Sequence, residues 1–197
     1  MKVISKAFKF ILLFMIICGL IYPVFITGAS QLLFKDKANG SIIEVNGKKY
    51  GSVLLAQEFT GDEYLWGRVM NLDTSTFTDE NGKVLMYATP SNLSPASQEY
   101  EKLVSERIEK IKASNPDKKD DPIPVDLVTS SGSGLDPHIS VAAAEYQVDR
   151  IAKIRNISTN EVGQIIEKYT KGRILGVFGE ETVNVLQVNL ALDGVLK

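Results

Sequence analysis

Hydrophobic and polar positions divide the chain into one long apolar run and a longer, alternating remainder. Residues 10–26, FILLFMIICGLIYPVFI, carry no charge; Lys2, Lys6 and Lys9 precede them, and no acidic residue occurs before Asp36. At about 1.5 Å per residue a helix of this length rises roughly 26 Å, and Phe8 and Thr27 extend it towards the roughly 30 Å hydrocarbon core of a bilayer. The pattern predicts a transmembrane helix over 10–27. By the positive-inside bias, residues 1–9 are expected in the cytoplasm and residues 28–197 outside, as a single domain. A cleaved signal peptide is the rival reading, with Thr27 and Ala29 as the small pair. The apolar run exceeds the usual h-region of about 7–15 residues, which favours a retained anchor. Cys18 follows Met15-Ile16-Ile17, not the small residues of a lipobox, and reads as an apolar helix residue.

Beyond the anchor the pattern shortens. Leu32, Leu33 and Phe34 are expected to continue the helix, until Asn39-Gly40 breaks it. Asn46-Gly47 between SIIEV and KKYGSVLLAQ predicts a hairpin with strands near 41–45 and 48–56, because both turn residues tolerate positive φ. Residues 57–92 are less regular, with Trp66-Gly67-Arg68 as a candidate buried wedge beside a charge. Asn81-Gly82 precedes KVLMYA, a further strand. Ser94-Pro95 predicts a helix start, and Tyr100, Leu103, Val104, Ile108 and Ile111 recur at helical spacing to about Ala113. Residues 115–124, NPDKKDDPIP, read as a solvated linker. VDLVTSSGSGLDP reads as a short buried strand entering a glycine-rich turn. Asp136-Pro137 or Ser140 then caps a helix through Ile154. Ser158 to Glu161 has capping-box form and opens another helix, ending at Lys171-Gly172. In the tail, Val183, Leu186 and Leu190 suit a helix while the valines favour a strand; the helix is preferred. The fold class expected is α+β: one N-terminal transmembrane helix followed by a mixed domain.

Composition narrows the function. With Lys2, Lys6 and Lys9 set aside, 19 basic residues face 24 acidic ones, a net charge of −5 outside. No basic stripe is present, which argues against nucleic acid. The single cysteine lies in the anchor, so no disulfide is expected in the outer domain, and the single histidine, His138, gives no Cys/His zinc set. Neither a metal nor a directly bound cofactor is expected.

The most distinctive polar stretch is Thr129-Ser-Ser-Gly-Ser-Gly-Leu-Asp-Pro-His138. Ser133, Asp136 and His138 could form a hydrolytic set, in a free-standing anchored or secreted binding or hydrolase domain. Triad members converge in space, however, and adjacency in sequence is poor support for one. Phosphate capture by the glycine-freed amides is a second reading, but the Walker lysine is missing. The simpler reading is a structural turn, with glycines for backbone angles, serines and Asp136 for capping, and His138 for a fixed hydrogen bond. No catalytic residue is assigned.

Several stretches together carry a resemblance: Tyr22-Pro23, ANGSI at 38–42, GSVLLAQEF at 51–59, YLWGR at 64–68, SNLSP at 91–95, VTSSGSGLDPHISVAAAEYQVDRIAKIR at 128–155 and GEETVNVLQVNLALD at 179–193. Over almost its whole length the chain resembles the KdpC family, the C subunits of the bacterial Kdp potassium-transporting ATPase. The resemblance implies an accessory, non-catalytic subunit of a high-affinity potassium uptake complex in the cell membrane. Its implied partners are a channel-like A subunit that takes up potassium, a P-type ATPase B subunit and a very small F subunit. It further implies a role in assembly, and as a catalytic chaperone that raises the ATP affinity of the B subunit. In that proposal a GQ-x-F glutamine and an SGGSN-like stretch touch nucleotide. The matching residues here are Gln57, Ser91 and Asn92, with the paired glycines of the second stretch replaced. Tyr22, Pro23, Ser131, Ser133, Asp136 and His138 are the expected partner contacts. Cytosolic ATP does not reach an outer domain, so the effect on ATP affinity is expected to be indirect, with ATP bound elsewhere in the complex.

Overall fold

A computed structural model describes residues 2–197, and the described chain separates into two compact units, up to Ser52 and from Val53 to Lys197. In the first unit a continuous helical stretch, Lys2–Leu33, is long and apolar enough to cross a membrane. It consists of α1 (Lys2–Ile16), a π-helical segment (Ile17–Ile21) and α2 (Tyr22–Leu33). Pro23 explains the widened turn. Proline has no N–H to donate, and its ring clashes with the carbonyl four residues earlier, at Gly19. The chain responds by inserting a residue, so that the Tyr22 N–H donates to the Ile17 carbonyl, five positions back. The short α3 (Lys35–Ala38) follows, then β1 (Ile42–Val45) and β2 (Lys48–Ser52). These strands pair antiparallel about Asn46-Gly47, both of which take positive φ (52° and 77°), as a two-residue hairpin loop requires. The second strand stops at Ser52, four residues short of the expected end, because the next backbone groups bond elsewhere: Asn184 donates to the Val53 carbonyl, and the Ala56 N–H donates to Leu135 O.

The second unit opens with an irregular segment, followed by β3 (Leu72–Thr78) and β4 (Val84–Ala88), an antiparallel ribbon. β3 was not expected from its pattern, LDTSTFT. The Asp73 carboxylate accepts from the amides and hydroxyls of Ser75 and Thr76 and bends the strand between Asp73 and Phe77. α4 (Gln98–Ser114) starts three residues later than Ser94-Pro95 suggests. Ser97 is its cap, accepting from the Tyr100 N–H. Residues 125–127 form a 3-10 turn in place of the expected buried strand. The side chain of Asp126 accepts the Ser140 N–H at 2.7 Å, which ties this turn to the next element instead of extending it.

β5 (His138–Ser140) runs into α5 (Val141–Glu145), capped by Ser140. The single helix expected through Ile154 is interrupted at Tyr146-Gln147 and resumes as α6 (Val148–Arg155). α7 (Thr159–Lys168) is capped by Ser158, as its sequence predicts. It ends before Lys171-Gly172 because Thr170–Lys171 form β6, which pairs with β7 (Thr182–Asn184). The tail is both things its residues suggested: the strand β7, then the helix α8 (Val185–Leu192). The order β5-β7-β6 makes a small antiparallel sheet. Leu65, Ile111, Ile139, Ile151, Val162, Val183 and Val188 fill the core of this unit.

Polar groups lock the irregular segment onto this core. Asn189, fully buried on α8, accepts the Leu65 N–H at 2.8 Å and donates to the Leu65 carbonyl at 2.9 Å. Gln147 does the same for Trp66, and Arg150 donates to the carbonyls of Asp62 and Tyr64. Arg155 bonds the Glu63 and Leu192 carbonyls and the Asp193 carboxylate. Tyr64 donates to Asp193, and the Asp193 charge, then burial, raise its pKa above 10. A phenol whose folded-state pKa lies above its unfolded value stabilises the fold fully below pH 10, and that contribution is lost as pH rises through the folded value. Alkaline urea unfolding is therefore expected to show a shallower loss of stability in Tyr64→Phe than in the parent. Superimposable pH profiles above 10 would remove Tyr64 from the account.

Candidate functional site

The polar turn after the 125–127 segment is built from its own side chains. Gly134 takes φ +75° and is buried against the β3–β4 ribbon: its carbonyl accepts from Asn71 N–H, and Asn71 O accepts from Thr89 N–H. Ser131 Oγ accepts the Gly134 and Asp136 amides, and Ser133 Oγ accepts the Leu135 amide. Asp136 Oδ1 accepts the His138 amide and stands 3.5 Å from His138 Nδ1. Asp136 Oδ2 and Asp126 Oδ1 each lie 3.9 Å from Arg68 Nη1, and Arg68 Nη2 reaches the Ser130 carbonyl at 3.3 Å. His138 Nε2 faces the Asn184 amide at 3.4 Å.

Ser131, Ser133, Asp136 and His138 are thus together, with Arg68 beneath them, but not as a nucleophile–base relay. The two serine hydroxyls pair with each other at 3.2 Å and with loop amides, while His138 pairs with Asp136 and Asn184. Neither serine hydroxyl is paired with the His138 ring, so the nucleophile–base contact that marks nucleophilic catalysis is not formed in this arrangement. Among the described residues no group of three or more His, Cys, Asp or Glu could hold a metal ion.

A second feature lies beside this turn. A cleft of about 360 Å³ is walled by Gln57, Phe59, Trp66, Arg68, Arg107 and Lys110, among others. The Trp66 ring has Lys110 Nζ 4.9 Å and the Arg150 guanidinium 4.6 Å from its centroid, within cation–π range. Burial pushes Arg150 down to about 10, against the opposing pull of Asp62 and Glu63; burial also lowers Arg107, against Glu58 and Glu106. Both guanidiniums stay charged at neutral pH. The wedge expected at 66–68 is therefore half-buried, with Trp66 flanked by cations and Arg68 held by two carboxylates.

Of the residues matched to nucleotide contact, Gln57 lines this cleft. Ser91 and Asn92 are exposed in the segment after β4 and are not part of its wall. Tyr22 and Pro23 lie in the apolar helix, where they set the π segment. Arg107 and Lys110 were missed as site residues, because only the apolar positions of their helix were singled out. The available signal was spacing: Arg107 stands three residues before Lys110 and four before the buried Ile111, and i, i+3 and i, i+4 positions share a helix face.

The family model for the K+-transporting ATPase c chain, KdpC, matches residues 4–194. A potassium-transporting ATPase KdpC subunit of Clostridium perfringens is 67% identical over 197 residues, covering 100% of both chains. That of Clostridioides difficile is 41% identical over 100% of this chain and 99% of its own. That of Paraburkholderia xenovorans is 44% identical over 89% of this chain and 88% of its own. With the fold, the apolar helix and the SGSGLDPH turn accounted for along one continuous match, the chain belongs to the KdpC family, the c-chain subunits of K+-transporting ATPases.

Proposed function

We propose that this chain is the accessory, non-catalytic subunit of a high-affinity, ATP-driven potassium uptake complex. It is retained in the cell membrane by its N-terminal helix, with Lys2, Lys6 and Lys9 in the cytoplasm and the domain from Val53 outside. Its partners are the channel-like A subunit, the P-type ATPase B subunit and the small F subunit. Tyr22 and Pro23 in the helix, and the turn bearing Ser131, Ser133, Asp136 and His138, are its contact surfaces. The observation that carries the reading is the use of that turn. Its side chains are engaged with backbone amides and with Arg68, so the turn suits a shaped contact surface and not a catalytic centre.

The subunit raises the ATP affinity of its partner without touching nucleotide. A domain outside the membrane and ATP inside it share only the conformational equilibrium of the pump. A subunit that binds one pump conformation more tightly raises its population, and nucleotide affinity follows by linkage, with coupling energies of typically about 1–3 kcal/mol. Pull-down of a tagged chain from detergent-solubilised membranes is expected to recover a P-type ATPase and a channel-like polytopic subunit, with potassium-stimulated ATPase activity. Complexes lacking the chain should need about 5- to 150-fold more ATP for half-saturation, the range of such couplings. Recovery of the chain alone, or unchanged ATP half-saturation without it, would refute the reading.

A further inference from the structure

We infer that the cleft beside Trp66 binds a singly charged oxyanion, a carboxylate or a phosphodiester, carried on an apolar or aromatic body. The volume, about 360 Å³, falls within the range of small-ligand sites, about 300–1,000 Å³. Its walls combine the rings of Phe59 and Trp66 and the side chain of Ile111 with the cations of Arg68, Arg107 and Lys110.

Charge sets the ligand. Arg68 is balanced from behind by Asp126 and Asp136. Glu58 is the one acid in the wall, and both it and Glu106 lie close enough to Arg107 to stabilise its charge. Among the described residues neither Arg107 nor Lys110 has a carboxylate oxygen within 4.0 Å, and Lys110 rests on the Trp66 ring. With Glu58 and Glu106 both set against Arg107, Lys110 is left as the wall cation with no acid against it, a surplus of one positive charge at the Trp66 ring. A monoanion neutralises that surplus, whereas a triphosphate would bring more charge than the wall can meet. Arg68 Nε adds a buried donor without a partner in the chain, and guanidinium groups match the geometry of carboxylate and phosphate oxygens. The aromatic wall then favours a ligand whose charge is attached to an apolar body. This inference stands apart from the coupling to ATP affinity.

Trp66 is the only tryptophan in the chain, so its emission reports on the cleft directly. The full chain in detergent micelles would be titrated with benzoate and with dihexanoyl phosphatidylglycerol. Dihexanoyl phosphatidylcholine, and chloride at matched ionic strength, serve as controls, and calorimetry provides a readout independent of the indole. A saturable response to benzoate, to the phosphatidylglycerol, or to both is expected, with none to the controls. A response to benzoate alone identifies a soluble carboxylate as the ligand type; a response to the glycerol lipid alone identifies a headgroup. The affinity should fall at least tenfold in the Arg107→Gln/Lys110→Gln double variant and several-fold in Lys110→Gln alone, which keeps the buried Arg107. It should not change in Lys102→Gln, an exposed position on α4 paired with Glu106. No saturable response to either probe, or equal affinity in parent and Lys110→Gln, overturns the assignment.

Discussion

Gly134→Ala is expected to destabilise the unit from Val53 to Lys197 by about 2–5 kcal/mol. About 1–2 of this comes from holding a non-glycine residue in the left-handed region, and about 1–3 from forced overpacking. The residue sits at φ +75°, and a Cβ there would lie 2.6 Å from both the Asn71 and the Thr89 carbonyl oxygens. Both obstacles are backbone, so no rotamer change relieves them. The turn must instead lift off the β3–β4 ribbon and break the Asn71 N–H to Gly134 O bond. Gly132→Ala is the matched control, since its added methyl meets nothing within 4 Å, and it should stay within about 0.5 kcal/mol of the parent. Urea unfolding of the detergent-solubilised chain, followed by circular dichroism, measures both. If the two variants are equally stable, the turn does not pack on the ribbon as described, and its role as a shaped contact surface loses its basis.

Asn189→Leu should be comparably damaging for a different reason. Leucine nearly conserves volume and would suit the apolar surroundings of α8, yet it strands the Leu65 N–H and C=O, which the asparagine amide alone satisfies across the core. Each buried backbone group left without a partner costs about 1–3 kcal/mol, so a loss of about 2–6 kcal/mol is expected by the same unfolding assay. Trp66 should report it as well, because its own backbone is held next door by Gln147. A variant as stable as the parent would mean that residues 64–66 can satisfy themselves by another route.

Local chemistry was the readable part of the sequence. Asn46-Gly47 specifies its hairpin because two consecutive positive φ angles are needed and those two residues tolerate them. Ser158 specifies a helix start because its side chain reaches the Glu161 amide. The apolar helix was legible from length and absence of charge. What the pattern did not reveal is backbone whose partners are distant in sequence. β3 carries Leu72 and Phe77 as its large apolar residues and exists because β4 pairs with it. Val125 to Leu127 looks like a strand but turns, because Asp126 is recruited 14 residues away by the Ser140 amide. At the site, the reading of residues 129–138 as a structural turn matches its geometry, since hydrogen bonds two to five residues apart can be inferred from spacing. The cleft was not legible: Arg107 and Lys110 come from α4, and Trp66 and Arg68 from a segment about forty residues earlier, and only tertiary packing brings them together.

The widened turn at Ile17–Ile21 has a consequence for how the apolar helix is interpreted. Successive residues of an α-helix are set about 100° apart around the axis, so one inserted residue rotates everything beyond it by about that angle. A stripe traced at 3.6-residue spacing from Phe10 therefore changes side before it reaches Phe25. The two halves of the helix are offset in rotation: a stripe before the π segment faces one azimuth, and its continuation from Tyr22 onward faces another, roughly a quarter-turn away. A single-pass helix with this offset can lie against two surrounding surfaces at different depths of the membrane, as a straight rod with one sticky edge cannot.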